Sequence, residues 1–202
     1  MYQALRPIVL ASTSPRRREL LGLCGFPFDI VPSPAAEPAP EAGETPGRYA
    51  CRMARLKAAP VAAMRPEAVV LGADSVVAVA DRILGKPADT AEAARMLRLL
   101  SGRTHQVVTG CALFAPDREP EIFSVATAVT MAALPEALIA AYVATGEPMD
   151  KAGAYAIQGQ AAAFITGIAG SYTNVVGLPL AEVVAALGAW GAVRTAGGTS
   201  LS

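Results

Sequence analysis

The sequence predicts an α/β fold built on a mixed, twisted sheet flanked by helices. Three observations predict it. A short apolar run at residues 7–11 is followed by a hydroxyl-rich loop and a helical pattern from Arg16, which is a strand–loop–helix unit. Residues 68–80 carry the strongest strand signal in the chain, and a turn at Asp81-Arg82 returns them through Ile83-Leu84. Residues 104–114 and 122–131 are two further strand-like runs joined across Pro116-Asp117, a long antiparallel hairpin. Strand–helix units beside antiparallel pairs make the sheet mixed.

Taken in order, Ser14-Pro15 places an N-cap serine before a proline at the first helical position, and Leu20, Leu21 and Leu23 share one side of the helix. The loop before it presents backbone N–H groups and a positive dipole end. Ser12, Thr13 and Ser14 add hydroxyls, and Arg16, Arg17 and Arg18 add charge. Cations at a helix N-terminus oppose the macrodipole. A bound polyphosphate, which suits the arginine fork, resolves that conflict, and a solvated basic first turn is the alternative. Gly25 and Pro27 turn the chain into a strand at 28–31. Residues 32–46, rich in Pro, Ala, Gly and Glu, form a loop carrying Glu37, Glu41 and Glu44. Thr45-Pro46 opens a helix with Tyr49, Met53 and Leu56 near one face and Lys57 elsewhere, which Pro60 is expected to end or kink.

Within 68–80, Gly72-Ala73-Asp74-Ser75 interrupts the valines. Asp is disfavoured inside strands, so Asp74 reads as a solvated strand end or as a site residue held on a rigid element. Lys86 lies between Gly85 and Pro87, and the proline keeps it extended. Asp89 and Glu92 have capping-box spacing at the start of a helix that runs to Leu100 and stops at Gly102. A helix at 135–144 ends at Gly146. Residues 147–155 show no period, Gln158-Gly159 follows, and a strand is expected at 162–165, a turn at 170–172 and a last helix at 180–187. One domain over 1–190 and a loose tail over 191–202 are expected.

Composition narrows the function. The chain has 202 residues, 53% hydrophobic and 17% charged, which excludes a disordered chain. Lys+Arg and Asp+Glu both number 17, so the basic excess of a general nucleic-acid binder is missing, and the five tyrosines form no stacking stripe. Cys24, Cys51 and Cys111 form no C-x-x-C pair, so neither a zinc knuckle nor a disulfide framework is expected. Arg6 and Pro7 interrupt any signal-like start, and no apolar run is long enough for a bilayer, so a cytoplasmic protein without membrane partners is expected. His105 is the single histidine and reads as a strand residue, not a base. Set together, a group of odd polar residues suggests a site: Arg16, Arg17, Lys57 and Lys86 suit phosphates, Glu37 and Asp74 suit a hard divalent metal, and the amide of Gln158 suits a base edge, while taken singly Lys57 and Lys86 also read as surface lysines and Gln158 as a turn cap. Phosphoryl transfer needs this mixture of neutralised charge, a metal and a positioned water.

The residues Leu10-Ala11-Ser12-x-Ser14-Pro15-Arg16-Arg17 with Glu19-Leu20-Leu21, Gly72-Ala73-Asp74-Ser75, Gly85-Lys86-Pro87, Leu99-x-Ser101-Gly102-x-Thr104-His105, Asp150-Lys151-Ala152-Gly153-Ala154-Tyr155-x-Ile157-Gln158-Gly159 and Val176-Gly177-Leu178-Pro179 occur in that order. Together they resemble the Maf family. The resemblance implies an elongated α/β fold related to the inosine-triphosphate pyrophosphatases, often dimeric. It also implies cleavage of a nucleoside triphosphate between its α- and β-phosphates with a divalent metal, Mg or Mn. By matching position, Asp74 is implied as the catalytic carboxylate and, with Glu37, as a metal-site acid. Ser12, Arg16, Lys57 and Lys86 are implied to bind the triphosphate. Arg16, Arg17, Ser75 and Gln158 fall at or beside positions tied to nucleotide choice. The Gly-Ala-Asp-Ser and Ile-Gln-Gly forms resemble the dTTP/UTP branch, with modified pyrimidine triphosphates as further substrates. The alternatives are a pyrophosphatase for 7-methyl-GTP or another modified nucleotide, and a nucleotide-sensing regulator of septum formation. Two departures stand out: Ser75 replaces the commoner Thr, and Ala36 stands beside Glu37 where a second acid is common.

Overall fold

The computed structural model describes residues 1–80 and 82–197. Its strands are β1 (Tyr2–Ala4), β2 (Ile8–Leu10), β3 (Asp29–Ile30), β4 (Val69–Val79), β5 (Arg82–Leu84), β6 (Thr104–Ala115), β7 (Arg118–Met131), β8 (Ile165–Ala169) and β9 (Val193–Thr195). Its α-helices are α1 (Pro15–Gly22), α2 (Pro46–Met64), α3 (Thr90–Leu100), α4 (Glu136–Ala144), α5 (Tyr172–Val176) and α6 (Leu180–Ala189). Short 3-10 turns occupy Glu147–Asp150, Ala152–Ala154 and Gln160–Phe164.

Among the described residues, seven strands form one sheet in the order β3-β2-β4-β6-β7-β8, with β5 paired to β4. The sheet is mixed, as expected: β2 runs parallel to β3 and β4, while β5 and β8 are antiparallel to β4 and β7. The chain groups into two compact units through which β4, β6 and β7 pass. The first comprises Met1–Asp74, Thr109–Val125 and the chain from Gly177 on, and the second Ser75–Val108 and Ala126–Val176.

The first unit is organised by how closely α2 approaches the sheet. Val9, Ala11, Ala54, Ala58, Val61, Ala68, Val70 and Ala112 form one buried cluster. A Cβ added at Gly72 of β4 would lie 2.6 Å from the Ala54 carbonyl oxygen, and one at Gly110 of β6 would lie 2.3 Å from the Ala50 carbonyl carbon. Glycine on the strand and alanine on the helix are what this distance requires. The expected face through Tyr49, Met53 and Leu56 is therefore corrected: Ala50, Met53, Ala54, Ala58 and Val61 are buried, while Leu56 is exposed. For the same reason Gly72-Ala73 does not interrupt β4, which runs unbroken from Val69 to Val79 with Asp74 in its interior. Pro60 does not end α2 either. The helix continues to Met64, and the lost backbone bond, which costs about 3 kcal/mol, is offset by burial of Ala58 and Val61 on the strands. Within the expected tail, residues 193–195 form β9, which pairs antiparallel with β1, and Val193 is buried. The rest of that tail, 198–202, and Asp81 of the expected turn lie outside the described residues.

In the second unit the Asp89 carboxylate accepts from the Glu92 N–H at 2.7 Å and Glu92 accepts from Ala88 N–H at 2.8 Å, a capping box shifted by one residue. The strand expected at 162–165 lies further on. Gln160–Phe164 is a 3-10 turn of small residues, and β8 begins where the β-branched Ile165 and Thr166 stand. Of the described residues, no helix is long and apolar enough to cross a membrane.

Candidate active site

Parallel pairing sets the register in the first unit. Leu10 of β2 lies beside Leu71 of β4, and the Ala11 N–H donates to the Leu71 carbonyl. Ser12, two residues beyond Leu10, therefore emerges at the carboxyl end of β2, on the end of the sheet toward which β4 carries Asp74. Carboxyl ends of parallel strands are where open α/β sheets hold ligands. The buried Ser12 Oγ accepts from the Ser14 N–H at 3.1 Å, which folds the loop into α1. Ser14 stands at the N-cap with Pro15 behind it, as expected, but its hydroxyl makes no cap bond. The loop is thus shaped by Ser12 rather than by Ser14.

Asp74 is buried, and its Oδ1 accepts from the Lys57 Nζ at 2.6 Å. Lys57 reaches it because Ala54, Lys57, Ala58 and Val61 follow i, i+3, i+4, i+7 spacing along the helix stripe that lies on β4. The same ammonium is 2.9 Å from Glu37 Oε1. One lysine therefore gathers the two acids that the sequence singles out. Lys57 and Asp74 side chains are each 13% exposed, while Glu37 is 53% exposed and opens the site to solvent.

Arg17 is held by its Nε donating to the Gly177 carbonyl at 2.9 Å. Burial draws its pKa down, and the negative charge of Asp74 opposes that. Gly177 lies in the Val-Gly-Leu-Pro motif, but its part as a backbone acceptor leaves no residue-type signal in the sequence.

The Glu37 loop is anchored by residues that the sequence did not single out. The Tyr49 hydroxyl donates to the Pro38 carbonyl at 3.1 Å, and Arg52 donates to the Ala39 carbonyl at 3.2 Å. Arg52 also grips Glu44 with two bonds at 2.8 and 2.6 Å, which hold that carboxyl down at about 2. Burial, then the charges of Asp74 and Glu37, push the Tyr49 phenol up. The i, i+3 spacing of Tyr49 and Arg52 was the available signal, but their partner segment has no period of its own.

Ser75, Lys86 and Gln158 belong to the second unit. Ser75 is half-buried on β4, and Lys86 is exposed just after β5. The Gly85 carbonyl accepts from the Gly153 N–H at 3.0 Å, which ties the Lys86 segment to the Asp150–Tyr155 motif. Gly153 has φ +68°, and a Cβ there would lie 2.8 Å from Val77 Cγ2, so only glycine fits. Gln158 is exposed on a tight turn. His105 is buried with its Nε2 2.7 Å from the Tyr155 hydroxyl, and burial pulls its pKa to about 4, which suits a neutral structural residue. The cysteines are free, and burial pushes Cys111 up to about 12.

Among the described residues, no group of three or more His, Cys, Asp or Glu is placed to hold a metal. Glu37 and Asp74 alone supply two hard oxygen ligands on one ammonium. Such a pair fits a cation that keeps waters and shares substrate phosphates, as Mg does, better than one held in an all-protein cage.

A family model described as Maf-like protein matches residues 7–190. The dTTP/UTP pyrophosphatase of Nitratidesulfovibrio vulgaris is 50% identical over 193 residues, 96% of this chain and 92% of that protein. The dTTP/UTP pyrophosphatase of Geobacter sulfurreducens is 53% identical over 178 residues, 88% of this chain and 93% of that protein. Among solved structures, the Staphylococcus aureus Ham1 protein aligns at a TM-score of 0.46 and 18% identity over 62% of this chain and 72% of that one, too slight a likeness to bear on fold or function. The family match covers every motif from Leu10 to Pro179, and with it the chain belongs to the Maf-like protein family.

Proposed function

We propose that this chain is a nucleoside triphosphate pyrophosphatase that hydrolyses dTTP and UTP to the monophosphate and pyrophosphate. The observation that carries the reading is the buried Asp74 carboxylate, fixed inside β4 and bonded to Lys57 while Glu37 shares the same ammonium. The identity to two relatives named dTTP/UTP pyrophosphatase supports the choice of base.

In this reading Glu37 and Asp74 hold a divalent cation, Mg or Mn. When bound, that cation neutralises charge on the triphosphate. Asp74 accepts the proton of the water that attacks the α-phosphorus, as the bond to the bridging oxygen breaks and pyrophosphate leaves. A rigid strand suits that task, because the base must stay aligned with the in-line water. Lys57 steers Asp74 and, with Ser12, Arg16 and Lys86, offsets charge that develops on the phosphates. Arg16, Arg17, Ser75 and Gln158 select the nucleotide, Gln158 by offering both donor and acceptor to a pyrimidine edge. The enzyme works in the cytoplasm on free nucleotides, without nucleic-acid or membrane partners, as a homodimer.

The test is pyrophosphate release with Mg or Mn from dTTP, UTP, CTP, 7-methyl-GTP, ITP, ATP and GTP. Preferential turnover of dTTP and UTP is expected. Preference for another base would discard the base assignment and keep the reaction. No turnover by folded protein with metal would overturn the enzymatic reading in favour of a nucleotide-sensing role.

A further inference from the structure

Gln158 stands at a corner built by its neighbours. The Gly159 N–H donates to the Ala156 carbonyl at 3.0 Å, closing a β-turn whose central residues are Ile157, buried, and Gln158, exposed. Both flanks of this turn are held by one pair of side chains. The Ala156 N–H donates to the Tyr142 hydroxyl at 3.2 Å. The Gln160 N–H donates to Glu147 Oε2 at 3.2 Å, and the Tyr142 hydroxyl donates to Glu147 Oε1 at 2.9 Å. Tyr142 is buried on α4 against the Phe164 ring, and Gly146, at φ +75°, turns the chain so that Glu147 follows directly. The fit is tight at Gly159: a Cβ there would stand 2.2 Å from Glu147 Oε1. Gly159 has an ordinary negative φ, so it is glycine to make room for the carboxylate and not for backbone freedom.

We propose that Glu147, acting with Tyr142, is a positioning residue for Gln158 and thereby a determinant of base choice, which rests on Gln158 being the base reader. The carboxylate accepts from one flank of the turn directly and from the other through the Tyr142 hydroxyl, so the amide of Gln158 is presented from a fixed backbone. A side chain free to swing could turn its amide to match either pyrimidine and so lose its discrimination, since uracil and cytosine present opposite donors and acceptors at N3 and at the C4 substituent.

The test uses the full chain and three variants. Glu147→Gln keeps the size but leaves one acceptor where the carboxylate has two. Gly159→Ala keeps Glu147 but displaces its carboxylate. Gln158→Ala removes the reader itself. Two readouts are taken: amide hydrogen exchange of Gln160 by NMR, and the ratio of kcat/KM for UTP over CTP with KM and kcat resolved. Loss of a hydrogen bond to a charged acceptor predicts roughly tenfold faster Gln160 exchange and a UTP:CTP ratio lowered by about tenfold, chiefly through KM, in both Glu147→Gln and Gly159→Ala. A role that is merely structural would lower kcat for both nucleotides alike and leave the ratio in place, which would overturn the proposal. Unchanged Gln160 exchange in Glu147→Gln would overturn the clamp itself. If Gln158→Ala lowers the ratio and the other two do not, Glu147 does not position Gln158. If Gln158→Ala leaves the ratio unchanged, the base-reader assignment fails and carries the proposal with it.

Discussion

Removing Lys57 tests the physical centre of the site. Its Nζ lies 2.6 Å from Asp74 Oδ1, with both side chains 13% exposed. At an effective dielectric of about 20, that separation is a gross attraction of about 6 kcal/mol. Desolvation of both groups and about 2 kcal/mol for ordering the lysine leave a coupling of about 3 kcal/mol. Lys57→Met alone leaves the Asp74 carboxylate buried beside Glu37 and is expected to cost about 3 kcal/mol. Asp74→Asn alone leaves the ammonium its 2.9 Å contact with Glu37, which is 53% exposed and therefore partly screened, and should cost about 2 kcal/mol. The double variant pairs a thioether with an amide and carries no buried net charge, so its cost is expected to stay near 2 kcal/mol. The assay is urea unfolding of the wild type and three variants followed by fluorescence of Trp190, the sole tryptophan, which lies in the same compact unit as Lys57 and Asp74. Costs that simply add, within about 0.5 kcal/mol, would refute the claim that this is a desolvated pair.

Three more outcomes follow from the same structure. Asp74→Asn keeps the shape of the side chain but not its basicity, so pyrophosphate release should fall roughly 10²- to 10⁴-fold in kcat, and wild-type turnover would remove Asp74 from the chemistry. Gly110→Ala would place a Cβ 2.3–2.4 Å from the backbone of Ala50 and Cys51, a contact with no flexible side chain to yield. A loss of about 3 kcal/mol in unfolding free energy is expected, and a variant as stable as wild type would show that α2 can lift off the sheet. His105 titrates near 4 in the folded chain against 6.5 unfolded, so below pH 6.5 the unfolded chain takes up the proton first. Stability present above pH 6.5 should therefore be lost as pH falls toward 4, by about 3 kcal/mol in all, and His105→Phe should flatten the dependence in that window.

Much of the candidate site was legible because its signals are local. A strand followed by Ser-x-Ser-Pro-Arg-Arg, a carboxylate between valine runs, and a lysine between Gly and Pro are read within a few residues. The capping residue Asp89, the long hairpin and the mixed character of the sheet were legible for the same reason: hydrogen bonding at fixed short spacing and alternation of side chains need no partner segment to be recognised. The motif order, in turn, reached the family directly.

What the tertiary structure decided are distances between segments. Periodicity favoured large side chains for the buried face of α2, but where the helix comes nearest to β4 and β6, at Ala50, Ala54 and Ala58 over Gly110 and Gly72, only small residues fit, and this closeness overrode both Pro60 as a stop and Gly72 as a break. The same approach set Lys57 between Asp74 and Glu37. Strand β9 was unreadable as a strand because three residues gain stability only once β1 lies beside them. The clamp of Glu147 and Tyr142 on the Gln158 turn leaves no mark in the sequence because a backbone N–H is the same at every residue. Sequence determined which chemical groups this protein carries and on what kind of element. Packing of segments remote in the chain decided which groups meet, since contact at about 3 Å is a property of the fold and of no single stretch of it.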